Sequence, residues 1–149
     1  MITIEKYTDA RRDEILETWE QSVRATHHFV TPEDLEEIKE LVHTIDFKQL
    51  QVFCLIQNGK LAGFIGVAAY KIEMLFLHPH HIGKGYGKKL LQYAIHQLAA
   101  DKVDVNEQNL HAVNFYRYAG FEVYERTEKD DQGKSYPLLR MQLKYAAAL

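Results

Sequence analysis

Leu77-His78-Pro79-His80-His81-Ile82-Gly83-Lys84-Gly85-Tyr86-Gly87-Lys88-Lys89-Leu90 sets three alternate glycines between an apolar strand pattern and a helical one. Glycine in such a turn lets consecutive backbone N–H groups aim at one point with no Cβ in the way, which makes an anion cradle at a helix N-terminus. Lys84, Lys88 and Lys89 crowd the positive end of the helix dipole. Cations there are unfavourable by a few tenths of a kcal/mol each, and a bound phosphate reverses the sign. Two familiar phosphate loops fail to match. A Walker loop requires Ser or Thr after Gly-Lys and a glycine five positions earlier, whereas Lys89 follows Gly87-Lys88 and Ile82 stands at the earlier position. A dinucleotide fingerprint requires Gly-x-Gly-x-x-Gly opening a βαβ unit, and this turn reads Gly-x-Gly-x-Gly after a meander.

That meander lies immediately upstream. Val52 to Gln57, the turn Asn58-Gly59 and Lys60 to Ala69 form a hairpin signal, and Lys71 to Leu77 continues as a third antiparallel strand. Downstream, a helix runs from the glycine turn to about Ala100 with Leu90, Leu91, Ala94, Ile95 and Leu98 on one face, and the short strand Val103-Asp104-Val105 follows. A strand, a crossover helix and another strand imply a parallel pair. Toward the N-terminus, residues 2 to 7 alternate as a strand, Thr8 or Asp9 caps a helix with Ile15, Leu16, Trp19 and Val23 at helical spacing, and Thr31-Pro32-Glu33-Asp34 opens a second helix. Its inner stripe is Leu35, Ile38, Leu41 and Val42. Toward the C-terminus come a helix from Asn109 to Ala119, a strand from Phe121 to Glu128, a polar loop and a last strand from Leu138 to Lys144. These elements predict one mixed α/β domain over residues 1–149, with the Ala146-Ala147-Ala148-Leu149 tail expected to fray.

Composition narrows the function. The chain has 149 residues, 46% of them hydrophobic, and a formal net charge of −3, which suits one domain with a real core and excludes a disordered chain. A mildly acidic balance without a large basic cluster argues against nucleic acid as the main partner. No stretch reaches the ~18 apolar residues of a membrane helix, and the start lacks a secretory signal pattern, so a cytoplasmic protein is expected. Cys54, the one cysteine, sits in the apolar run Val52-Phe53-Cys54-Leu55-Ile56 and reads as a small buried hydrophobe. The histidines of His78-Pro79-His80-His81 have no carboxylate or cysteine completing a ligand set, so no metal is expected.

Taken together, these residues resemble the GNAT superfamily of acyl-coenzyme A dependent N-acyltransferases. Gly85-Tyr86-Gly87 falls on the glycines of that family's pyrophosphate loop, with Ile82 where Arg or Gln is usual; a side-chain contact is lost there while the backbone contacts stay. Ile72-Glu73-Met74-Leu75-Phe76-Leu77-His78-Pro79 is similar to the family's fourth strand, and Asn109-x-x-Ala112-x-x-Phe115-Tyr116-x-x-x-Gly120-Phe121 to its second conserved block. The likeness spans residues 2 to 144. Within the superfamily, Ser22-Val23-Arg24-Ala25-Thr26-His27, Val105-Asn106-Glu107-Gln108-Asn109 and Asp130-Asp131-Gln132-Gly133-Lys134-Ser135-Tyr136-Pro137-Leu138-Leu139 resemble the YjaB-type bacterial N-acetyltransferases.

The resemblance implies a mostly antiparallel twisted sheet with a splayed parallel pair, flanked by about four helices. It implies acetyl-CoA as acyl donor, held by Leu75, Phe76 and Leu77, by the loop Ile82, Gly83, Lys84, Gly85, Tyr86, Gly87 and Lys88, and by Asn106, Asn109 and Phe115. The amides of Asn106 and Asn109 can bond the pantetheine arm without adding charge, and Asn109 can also cap the next helix. Tyr116 is expected as the acid that protonates the leaving thiolate, since a phenol of pKa about 10 is protonated at neutral pH. The acceptor amine must lose a proton before attack, and a lysine of pKa about 10.4 is neutral only about one time in two thousand at pH 7. Glu73 matches a strand position that supplies a carboxylate base in some members, with His27 and His28 as alternative bases. Trp19, His27, His28, Phe29 and Tyr136 are expected to shape the pocket of a primary amine, on a small molecule, peptide or protein. A monomer or homodimer is expected. The rival expectation is an acyl-CoA sensor that keeps the cradle and has lost turnover.

Overall fold

The computed structural model describes residues 1–144; the alanine-rich tail lies outside the described residues. The elements are β1 (Ile2–Lys6), α1 (Arg12–Thr26), α2 (Pro32–His43), β2 (Gln51–Gln57), β3 (Lys60–Ala68), β4 (Lys71–Leu77), α3 (Tyr86–Leu98), β5 (Lys102–Asn106), α4 (Leu110–Tyr118), β6 (Phe121–Thr127) and β7 (Leu138–Leu143). The seven strands form one sheet in the order β1-β2-β3-β4-β5-β7-β6. Among the described residues only β4 and β5 run parallel; the other neighbours are antiparallel. This is the mixed sheet with one parallel pair that the crossover helix implied.

Local chemistry accounts for most boundaries. Asn58 and Gly59 both take positive φ, 52° and 80°, which gives the β2–β3 turn the twist of its flanking strands. The Thr31 hydroxyl accepts a hydrogen bond from the Asp34 N–H at 3.2 Å, and Pro32 occupies the first turn of α2. Three expectations need correction. Thr8 makes no side-chain cap; a 3-10 turn, Asp9–Arg11, intervenes and α1 starts at Arg12. Leu41 is 51% exposed, because α2 offers the core a narrow stripe in which Val42 is buried and Leu35 and Ile38 are partly covered. The third helix ends at Leu98, where Ala99 turns left-handed at φ 57°.

The sheet separates two cores. Alternation along β2 sends Val52, Cys54 and Ile56 toward Ile15, Trp19 and Val23 of α1, and Leu55 to the opposite face. That second face packs on Leu90, Leu91, Ala94 and Ile95 of α3 and on Val113 and Tyr116 of α4. Burial of each large aliphatic side chain stabilises the fold by about 1.5–3 kcal/mol, so both faces lock the strands in register. The parallel pair is short: β4 meets β5 only at Lys71↔Lys102 and Ile72↔Val103, after which β5 pairs with β7 alone. From Glu73 onward the edge of β4 is therefore open.

β4 is held on its other edge by a close approach. A Cβ at Gly63 would lie 2.9 Å from the Phe76 carbonyl oxygen and against Leu77 Cδ2. Gly63→Ala is expected to destabilise the protein by about 1–3 kcal/mol, because backbone has to move. Urea unfolding of the two proteins side by side checks this, and equal midpoints would show that the strands separate freely.

Candidate active site

The divergence of β4 and β5 opens a cleft of about 330 Å³. One wall is β4, from Ile72 to Leu77; the other is Val103, Asp104, Val105 and Asn106 of β5 with Asn109, His111, Ala112, Phe115 and Tyr116 at and in α4. Ser22, Thr26 and His27 at the end of α1 close one side, and Ile82 and Gly87 stand at the glycine turn. At the base of the splay, the Asp104 carboxylate accepts hydrogen bonds from Lys71 Nζ at 2.5 Å and from an Arg140 guanidinium N–H at 2.6 Å. This bridge ties β4 to β7 across β5 where the strands part.

At the glycine turn, Gly83 and Gly85 have φ of 88° and 81°, and a Cβ on either would meet nothing within 4 Å. Among the described residues, the backbone N–H groups from Gly83 to Lys88 have no protein acceptor; the first helical bond of α3 is donated by Lys89 to the Gly85 carbonyl, at 3.2 Å. A run of free donors at a helix N-terminus is the geometry that holds a phosphate group. Lys84, Lys88 and Lys89 are exposed around it. Lys84 Nζ lies 3.3 Å from His81 Nδ1, and the His78 and His80 rings stand 4.7 Å apart. Burial, then the charge of Lys84 and of the neighbouring histidines, lowers the His81 pKa. The turn thus carries uncompensated positive potential over an open, donor-rich surface. Tyr86 turns its ring into the core, 5.7 Å from the His81 ring, and offers the open side of the turn its backbone.

The Tyr116 side chain is 6% exposed and borders the cleft. Burial raises its phenol pKa above the ordinary value, and its hydroxyl has no hydrogen-bond partner among the described residues. It is a held proton with nowhere in the protein to go. Glu73 is exposed on the opposite wall. Asn109 uses its side-chain oxygen to cap α4, accepting from the Ala112 N–H at 3.2 Å, which leaves its amide N–H groups as donors. The buried Cys54 thiol is pushed up to about 12, which removes a thiolate nucleophile.

On the α1 side, His27 borders the cleft, while His28 is exposed and does not. Trp19 does not line the cleft either; it is buried in the core between α1 and the sheet. Phe29 links the His27 ring, 5.3 Å away, to the Tyr136 ring at 6.2 Å. The Tyr136 hydroxyl donates to Asp34 and accepts from the Thr31 N–H, and Lys134 Nζ reaches Asp34 at 2.9 Å and Glu37 at 2.7 Å. The loop before β7 is clasped in this way to the start of α2, and Tyr136 belongs to the clasp. Ser22, Thr26, Asp104 and His111 are lining residues that the sequence reading did not single out.

His27 also carries a stability signature. Burial, then the nearby His28, lowers its pKa to about 4 from an ordinary 6.5. As pH falls, the unfolded chain takes up this proton first, so stability present above about 6.5 is lost on the way to about 4; the whole effect is at most about 3 kcal/mol. His27→Gln is expected to flatten that acid slope. Urea unfolding at about pH 7 and about pH 4.5 measures it, and parallel slopes in both proteins would remove the assignment.

The comparisons with known proteins bear on this geometry. Residues 14–144 match the model of the acetyltransferase (GNAT) domain. The peptidyl-lysine N-acetyltransferases YjaB of Escherichia coli and of Salmonella typhimurium are each 33% identical over 141 residues, which is 95% of this chain and 96% and 97% of theirs. The solution structure of apo YjaB from E. coli superposes with a TM-score of 0.87 at 32% identity, covering 97% of this chain and 98% of that one. The PaiA N-acetyltransferase of Thermoplasma acidophilum, crystallised with coenzyme A, shares the fold with a TM-score of 0.72 at 23% identity, covering 95% and 99%. Among the described residues no helix is long and apolar enough to cross a membrane.

Proposed function

The chain belongs to the GNAT acetyltransferase family and is an N-acetyltransferase; from that premise we propose that it takes acetyl from acetyl-CoA and delivers it to the side-chain amine of a peptidyl lysine, both substrates being bound together. The observation that carries the reading is the run of free N–H groups at the head of α3, opening onto a cleft that ends at Tyr116. The residues present fit the coenzyme. Gly83 to Lys88 offer backbone donors and Lys84 and Lys88 offer charge for a pyrophosphate, and the open edge of β4 at Leu75, Phe76 and Leu77 offers main-chain groups to the amides of a pantetheine arm. The unusual Ile82, 41% exposed at the mouth, contributes apolar contact in place of a charged side chain. When bound, acetyl-CoA supplies an activated thioester carbonyl.

The rest is done by the chain. Glu73 on β4 attracts the ammonium of the acceptor and takes its proton, directly or through water, which exposes the nitrogen lone pair. The nitrogen bonds to the carbonyl carbon, the carbon–sulfur bond breaks, and Tyr116 Oη gives its proton to the departing sulfur. The proton released by the nitrogen on amide formation restores Tyr116. No protein acyl intermediate is required, consistent with a buried, protonated Cys54. Peptidyl lysine is preferred among amines because the YjaB relatives carry that name and the exposed carboxylate of Glu73 stands on the cleft wall.

Calorimetric titration with acetyl-CoA, with free coenzyme A and ATP as comparisons, followed by thiol release on a lysine peptide, tests the reading. Coenzyme-selective binding with peptide-dependent thiol release is expected. Binding without release on any amine would make the protein an acyl-CoA sensor, and no coenzyme binding would remove the cradle.

A further inference from the structure

The end of α1 carries a short hydrogen-bond chain whose direction is forced. Thr26 Oγ1 lies 2.8 Å from the Ser22 carbonyl oxygen and 2.7 Å from His27 Nδ1. A carbonyl oxygen has no proton to give, so the single hydroxyl proton of Thr26 goes to Ser22. Toward His27 the hydroxyl is then an acceptor, and the proton of that second bond has to sit on Nδ1. The His27 backbone is pinned by its N–H to the Val23 carbonyl at 2.8 Å, and its ring leans on Phe29, so the imidazole is placed from three directions. Its other nitrogen has no partner among the described residues, and the ring borders the cleft shared by Glu73 and Tyr116.

We propose that Thr26 is a positioning residue that locks His27 in the Nδ1–H tautomer, so that a bare Nε2 accepts an N–H hydrogen bond from the acceptor amine in the cleft. The proposal rests on the amine-acetylation reading above. The tautomer decides how the nucleophile is held. A bare Nε2 grips an amine by one of its hydrogens and leaves the nitrogen lone pair free, whereas an Nε2–H would donate into that lone pair and compete with attack. Low polarity around the ring keeps it neutral at working pH, so the acceptor site is preserved while Glu73 deals with the proton. The Thr26 hydroxyl, on the cleft side of α1, thereby acquires a role beyond its bond to the backbone carbonyl one helical turn earlier.

Long-range ¹H–¹⁵N correlation of the histidine rings in the full-length protein tests this directly, with His27→Gln identifying the signal. In the wild type, His27 is expected to show a proton-bearing Nδ1 and a bare Nε2 at neutral pH. Thr26→Val, which keeps the shape and loses the hydroxyl, is expected to shift the ring toward Nε2–H and to lower kcat/KM for the amine about tenfold, with acetyl-CoA affinity unchanged. Thr26→Ser is expected to restore both. A wild-type Nε2–H signal, or a Thr26→Val ring that keeps its tautomer, would overturn the proposal. Unchanged amine kinetics with a switched tautomer would equally overturn it. Wild-type protein that shows the Nδ1–H pattern yet acetylates no amine would instead defeat the function reading, and the amine contact with it.

Discussion

Tyr116→Phe is expected to lower kcat by about 10²–10³-fold while the Kd for acetyl-CoA stays within about a factor of three. The hydroxyl of Tyr116 is at the cleft, has no protein partner among the described residues, and stays protonated because burial raises its pKa. Removing one oxygen leaves the packing against Phe115 and Phe121, whose rings lie 5.1 and 5.5 Å away, essentially intact. A hydroxyl that faces the cleft without a protein partner contributes little to stability, so Tm should hold in the variant. The combination is diagnostic: a catalytic phenol costs turnover and spares the fold, whereas a structural one costs Tm and coenzyme affinity together. Rapid-quench turnover, calorimetry and a melt on the same preparation decide it, and unchanged kcat would remove Tyr116 from the chemistry.

The elements that lead to Tyr116 were legible because each is governed by local rules. Asn58-Gly59 announced its hairpin through backbone conformations that few residue pairs adopt, and Thr31-Pro32 announced α2 through a cap that the structure reproduces. The parallel pair followed from handedness and connection length. How briefly β4 and β5 pair did not follow, because the splay depends on β7 inserting beside β5, a contact more than 30 residues distant in sequence. Side-chain direction was the other gap. Trp19, Ser22, Val23 and Thr26 share one side of α1 by helical spacing, but which of them meets the core and which meets the cleft depends on where the sheet opens. Trp19 falls beneath the sheet and Ser22 and Thr26 beside the gap. A pair of small hydroxyls at i and i+4, continuing an apolar stripe, was the available signal for the latter. For Asp104 it was a carboxylate between the buried Val103 and Val105; the Lys71 and Arg140 partners that make it tolerable become visible only in three dimensions.

The glycine turn supplies the sharpest test of the coenzyme half. Gly85 has φ of 81°, a region that β-branched residues scarcely enter, so Gly85→Val strains the backbone by about 1–3 kcal/mol. Its new side chain would project into space that the protein leaves open within 4 Å, beside the free N–H groups of the turn. If those donors hold a pyrophosphate, the valine takes up the volume of the anion and turns the donors away, and acetyl-CoA affinity should fall by at least about 100-fold, or more than about 2.7 kcal/mol. Strain alone must be separated from blockage, and the hairpin provides the control. Gly59 has nearly the same φ, 80°, and equally open surroundings, but it lies in the β2–β3 turn outside the cleft. Gly59→Val should therefore reproduce the loss of stability and leave acetyl-CoA binding unchanged. Equal loss of binding in both variants would mean that the coenzyme responds only to general destabilisation. Retained binding in Gly85→Val would place the phosphates elsewhere, and with them the premise that α3 begins at the pyrophosphate.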